Sequence, residues 1–132
     1  MTTIAYKAGI LAFDSKVTGD GVGWTVKGVK TKHHLAAACG ELQDAQAFLD
    51  WIEAGGVLSD RAKYGLDKEC EMSALSISKK GSIYLYESKV YPFKYDAPFI
   101  ALGSGCQYAI GAMAHGASAV QAASGLFAMC VA

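Results

Sequence analysis

Met1-Thr2-Thr3-Ile4-Ala5-Tyr6-Lys7-Ala8-Gly9 runs through Ile10-Leu11-Ala12-Phe13 into Asp14-Ser15-Lys16-Val17-Thr18. Thr2 to Tyr6 and Ile10 to Asp14 read as two short strands joined by a Lys7-Ala8-Gly9 turn. Most domains begin with a few disposable residues. Here the strand pattern starts at the first threonine.

Working outward, composition narrows the classes. The 132 residues are 52% hydrophobic and only 18% charged, and the formal net charge is +0. One domain spanning residues 1–132 is expected, and a chain this long buries roughly 68% of its unfolded surface. So apolar a composition implies a large core or surface covered by partner subunits. Charge balance gives no basic field for nucleic acid or an anionic membrane. No apolar run reaches membrane-spanning length, and Lys7 and Asp14 interrupt anything like a signal segment. Cys39, Cys70, Cys106 and Cys130 make no C-x-x-C pair, and read as reduced packing residues of a cytoplasmic protein.

Beyond Thr18, "VTGDGVG" (17–23) reads as a Gly-rich loop, with neither Walker nor Rossmann spacing. Trp24 to Lys30 alternates as a strand, Lys32-His33-His34 forms a turn, and Leu35 to Cys39 returns as a small-residue strand. Adjacent histidines in a turn point apart, so this pair reads as a solvated tip and not as a metal site. Leu42, Ala45, Leu49 and Ile52 follow helical spacing up to Gly55-Gly56. Val57 to Glu71 is polar and carries no assignment. Met72–Ser78 and Ser82–Glu87 form a hairpin around Lys79-Lys80-Gly81, and "PFIALGSG" is a strand ending in a glycine elbow. "CQYAIGAMAHG" and Ala117 to Ala123 are helical, and "LFAMCVA" carries no assigned element. Strands, helix, strands, helices suggest α+β with helices packed outside sheets.

Thr2 has its own chemistry. A small residue after the initiator permits removal of Met1, which leaves Thr2 with a free α-amine beside its hydroxyl. A hydroxyl needs a base near neutral pH, and an α-amine of pKa about 7.7–8.0 suits that task. Thr with its own terminal amine is a recognised nucleophile–base arrangement.

Four motifs then stand in one order: Thr2-Thr3-Ile4; Asp14-Ser15-Lys16-Val17-Thr18; "TVKGVK" (25–30) with "LAAACG" (35–40); and "GSGCQYAIGA" (103–112). With them the chain resembles proteasome β-type subunits, and more closely the HslV-like peptidases and their short bacterial or phage relatives. These are N-terminal-nucleophile (Ntn) threonine hydrolases. The resemblance implies a four-layer αββα sandwich, two mainly antiparallel sheets between helix layers, here C-terminally shortened. It implies a threonine-type endopeptidase in which Thr2 attacks the peptide carbonyl and its amine serves as general base. On the same resemblance Asp14 would hold a lysine as an ammonium beside Thr2; Lys27 fits best, with Lys30 as the alternative. Ser104 would support the amine and position water, although between glycines it also reads as a helix N-cap. The resemblance assigns the oxyanion hole to the N–H of Gly40. It implies that the backbone of Thr18 pairs with an extended substrate, and that Thr25, Val29 and Ala38 line the specificity pocket. The resemblance implies no metal or organic cofactor. It implies a ring-shaped homo-oligomer fed with peptide or unfolded protein, in some relatives by an AAA+ unfoldase. A catalytically silent assembly protein of the same fold is the second reading.

Overall fold

The computed structural model describes residues 3–13, 16–18, 22–24, 28–123 and 127–130, and of 16–18, 22–24 and 127–130 the backbone. Strand β1 (Thr3–Lys7) turns into β2 (Ile10–Phe13) with Ile4 opposite Phe13 and Lys7 opposite Ile10. Ala8 and Gly9 both sit at positive φ, +53° and +83°, the twist that a tight two-residue hairpin requires. On its other edge β1 pairs antiparallel with β10 (Phe99–Gly103), Thr3 opposite Gly103 and Lys7 opposite Phe99. Beyond β2 lies β11 (Phe127–Cys130), which completes a four-stranded sheet in the order β10-β1-β2-β11.

The second sheet holds five strands: β5 (Gly28–Lys30), β6 (His34–Gly40), β7 (Met72–Ser78), β8 (Ile83–Tyr86) and β9 (Phe93–Tyr95), adjacent in that order. β3 (Lys16–Thr18) and β4 (Val22–Trp24) pair as a two-stranded ribbon of their own. Thus the stretch read as one strand, Trp24 to Lys30, contributes to two sheets. Trp24 ends β4 and Gly28 opens β5, with residues 25–27 outside the described set. The Gly-rich loop likewise carries strand pairing at both of its ends.

Strand alternation sorts the side chains into layers. Ile4, Tyr6, Leu11, Phe13 and Ile100 of the first sheet meet Leu35, Ala37, Cys39, Leu75 and Ile77 of the second, forming the core between them. The opposite face of the second sheet presents Ala36, Ala38, Met72 and Ala74 to helix α1 (Leu42–Glu53). There Phe48, Trp51 and Tyr86 pack at tilted or edge-on angles with centroids 4.8 to 6.0 Å apart, the arrangement that aromatic quadrupoles favour. Burial pushes the Tyr86 phenol above its ordinary pKa, and its oxygen lies 3.5 Å from the hydroxyl of buried Ser76. On the far face of the first sheet, Ala5, Ala12 and Ala101 leave room for α2 (Cys106–Ala114) and α3 (Ala119–Ala123) to approach. The result is helix, sheet, sheet, helix, with both main sheets wholly antiparallel.

Lys7, the last residue of β1, donates from Nζ to the carbonyls of Met113 and Ala117, each at 2.9 Å, and lies over the Phe99 ring. It thereby ties β1 to the last turn of α2 and to the segment that leads from it into α3, a cation placed where the helix dipole favours one. The polar segment after α1 forms a short 3-10 helix (Leu58–Tyr64) with no buried residue. Arg61 fastens it by donating to the carbonyls of Leu58, Lys89 and Val90.

Since Phe48 is fully buried against Trp51 and Tyr86, Phe48→Ala is expected to cost about 3–5 kcal/mol. Urea unfolding should show a lower midpoint with a largely unchanged slope.

Candidate active site

One end of the sandwich gathers the first residues of β1 and β5 and the last residues of β2, β6 and β10. Thr3, covalently next to Thr2, is nearly buried and pairs with Gly103. Gly103 has φ +93°, so the chain turns sharply through Gly103-Ser104-Gly105 into α2. Gly105 lies directly against the Thr3 side chain, and a Cβ there would collide with Thr3 Oγ1. Glycine is therefore required because the turn closes onto β1, beyond any need for flexibility. Gly105 is also the N-cap of α2, without a side-chain cap bond. Ser104 is thus not the helix N-cap that its position between glycines suggests; it is an exposed residue of the turn itself.

A second contact joins β2 to β5. Phe13, which precedes Asp14, packs its ring on Gly28, which follows Lys27. A Cβ on Gly28 would come within 2.6 Å of Phe13 Cε1 and 2.9 Å of the Ala36 carbonyl. Phe13 also pairs with Ile4, so a continuous path of contacts runs Gly28, Phe13, Ile4, Thr3, Gly105.

The third component is the end of β6. Gly40 has φ +116°, and a Cβ there would lie 2.5 Å from the Glu71 carbonyl oxygen. The following N–H, of Glu41, donates to that same carbonyl at 2.7 Å. Glu41 caps α1 by accepting from the Asp44 N–H, and Asp44 accepts from the Glu71 N–H, both at 2.9 Å. This reciprocal ring holds the turn from β6 into α1 against the segment entering β7. Asp44 and Glu41 also place negative charge at the helix N-terminus, where the dipole favours it.

Of the residues singled out from sequence, Thr2, Asp14, Lys27 and Thr25 lie outside the described residues. Thr18 ends β3, its backbone opposite Val22. Ser104 and Gly40 stand at the common end. Val29 and Ala38 both face the α1 layer; Val29 is half-buried, whereas Ala38 is 1% exposed with its methyl inside the core. Lys30 pairs with Leu35 and borders a cavity with Ser78 and Lys79, toward the opposite end of β6 from Gly40. Phe13, Gly28, Gly105 and Asp44 carry positioning roles that sequence reasoning passed over. For the two glycines the available signal was the neighbouring motif residue, Lys27 and Ser104. Among the described residues no group of three His, Cys, Asp or Glu side chains is arranged to hold a metal, and no helix is long and apolar enough to cross a membrane.

No protein-family model matches the sequence, and no curated protein matches it. Solved structures do. BPH of Thiobacillus denitrificans in complex with epoxomicin superposes with a TM-score of 0.63 at 18% identity, over 99% of this chain and 98% of that one. Another structure of the same protein gives 0.58 at 21% identity, with the same coverage. HslV of Trypanosoma brucei gives 0.63 at 16% identity, over 92% of this chain and 85% of that one. At such identities the likeness is one of fold: the four-layer architecture expected from the motifs is the architecture found.

Gly105→Ala and Gly40→Ala each drive a methyl into a filled position, and the latter also places alanine at positive φ. Each is expected to lose about 1–3 kcal/mol. Backbone amide exchange should quicken at Thr3 in the first variant and at Glu41 in the second.

Proposed function

We propose that this chain is a threonine-type endopeptidase subunit of a self-compartmentalising, HslV-like ring, with residues 1–132 forming one Ntn-type domain. The observation that carries this reading is the path Gly28, Phe13, Ile4, Thr3, Gly105. Through it the immediate neighbours of Lys27, Asp14 and Thr2 meet the Ser104 turn at one end of the sandwich. The complex of T. denitrificans BPH with epoxomicin supports it from outside.

In this reading Met1 is removed and Thr2 Oγ adds to the peptide carbonyl, its proton passing to the α-amine directly or through water. Collapse of the tetrahedral intermediate breaks the C–N bond, the amine returns the proton to the leaving nitrogen, and an ester on Thr2 remains. Water then attacks that ester, releases the acyl product and restores the hydroxyl. Lys27, kept charged by Asp14, stabilises the developing alkoxide in a low-dielectric recess. The Gly40 N–H stabilises the oxyanion, a donor worth about 2.7–4 kcal/mol at comparable sites. Ser104 orients the amine and water. An extended peptide pairs with the backbone at Thr18 as an added strand, and Thr25, Val29 and the wall around Ala38 receive its side chain. The subunit works as a homo-oligomer in the cytoplasm and takes unfolded protein from an AAA+ unfoldase.

Intact mass spectrometry of active protein should show loss of Met1; activity from a fully Met1-retaining preparation overturns the mechanism. A peptide epoxyketone, which needs both the Thr hydroxyl and its amine, should label the chain and fail on Thr2→Ala. Thr2→Ala should also lower kcat/KM by about three orders of magnitude or more. Labelling that persists in that variant removes Thr2 from the role. Lys27→Ala should abolish hydrolysis while Lys30→Ala retains it, and the reverse result moves the ammonium to Lys30. Rings that have lost Met1 yet neither hydrolyse peptides nor take label establish the silent assembly protein instead.

A further inference from the structure

At the opposite end of β6 the β5–β6 and β7–β8 turns lie side by side, since His34 pairs with Ser78. Between them is a cavity of about 260 Å³ bordered by Lys30, Lys32, His33, His34 and Lys79, with Leu35 and Ile77 also lining it. The whole chain balances 12 basic against 12 acidic residues and has three histidines. Three of those basic residues and two of those histidines border this one cavity, and among the described residues no carboxylate does. Glu53 borders an adjoining recess that shares Thr31 to His34.

Both turns are held closed from within. Thr31 Oγ1 accepts from the N–H groups of His33 and His34 at 3.3 and 3.0 Å, while the Thr31 N–H donates to the His34 carbonyl at 2.8 Å. Ser78 Oγ accepts from the Ser82 N–H at 3.1 Å, and the Gly81 N–H donates to the Ser78 carbonyl at 2.9 Å. The cationic side chains therefore project from backbone that needs no ordering on binding, which lowers the cost of capturing a ligand. His34 Nδ1 is buried with no hydrogen-bond partner among the described residues, an arrangement that costs free energy until a partner is supplied. Burial and the neighbouring His33 both hold the His34 pKa below its ordinary value.

We propose that this cavity is a binding site for a small oxyanion of the phosphate class, held by Lys32, Lys79 and the His33-His34 pair. Charge-assisted hydrogen bonds from ammonium and imidazole groups to tetrahedral oxygens are the interaction that such a lining supplies. The site is separate from the Gly40 end of the sandwich and does not depend on the peptidase reading.

The test is a titration of inorganic phosphate into the full chain at ionic strength held constant with sodium chloride. His33 and His34 ring resonances are followed by NMR, and Tm by fluorimetry. A saturable shift of the His34 resonances with a rise in Tm is expected, with sulfate acting alike and acetate more weakly. Lys32→Gln and Lys79→Gln, both at exposed positions, should each weaken phosphate about twofold to fivefold. His34→Phe should remove the Tm response to phosphate. A response that sodium chloride reproduces, or that survives undiminished in Lys79→Gln, overturns the site. Acetate binding as tightly as phosphate overturns the preference for a phosphate-class ligand.

Discussion

The antiparallel pairing of β1 with β10 is the constraint from which the rest of the architecture follows, because it fixes which face of β1 looks inward. With Thr3 opposite Gly103, Ile4 and Tyr6 enter the core between the sheets while Ala5 faces the helices. A slip of one residue would exchange these faces and press Ile4 and Tyr6 against α2 and α3. The alanine row of Ala5, Ala12 and Ala101 forbids that exchange, since helices can approach the sheet closely only over small side chains. The same register delivers Thr3 to the Gly105 backbone. Packing of the outer layer and placement of the candidate site are thus consequences of a single pairing.

The two ends of β6 illustrate how one strand can serve two chemistries. Its last residue, Gly40, lies where side chains are excluded by the Glu71 carbonyl and where Glu41, Asp44 and Glu71 satisfy one another. Its first residue, His34, lies among lysines with a ring nitrogen lacking a partner among the described residues. Backbone donors and acidic caps dominate at one end, lysines and histidines at the other. Buried apolar side chains of the intervening residues, Leu35 to Cys39, insulate the two ends from each other.

Much of this was legible from sequence wherever a period or a motif spoke. The 3.6-residue spacing from Leu42 to Ile52, the alternation around Lys79-Lys80-Gly81 and the glycine elbow at 103–105 all correspond to observed elements. What escaped did so for physical reasons. The Leu58–Tyr64 helix buries no residue, so it has no apolar face to produce a period, and it is held by Arg61 donating to distant carbonyls. β9 is three residues long with all of them exposed. Val90 is fully buried at φ +45°, a backbone state that a β-branched residue adopts only when tertiary burial outweighs local cost. At the candidate site the motif residues could be named from the sequence, whereas the contacts among their described neighbours could not. Phe13 on Gly28 and Thr3 on Gly105 are close approaches between segments far apart in the chain, and no local pattern encodes them.

Lys7 gives β1 a second anchorage of a different kind. Its ammonium grips the carbonyls of Met113 and Ala117, and at the other end Thr3 abuts Gly105. The strand between them spans about 14 Å, four steps of roughly 3.4 Å each. β1 therefore acts as a spacer bar of set length between the start of α2 and its far end. Substitutions along it can be absorbed if they respect the faces, but a residue gained or lost cannot, because one anchorage would have to let go. Over evolutionary time such a segment should drift in identity while holding its length.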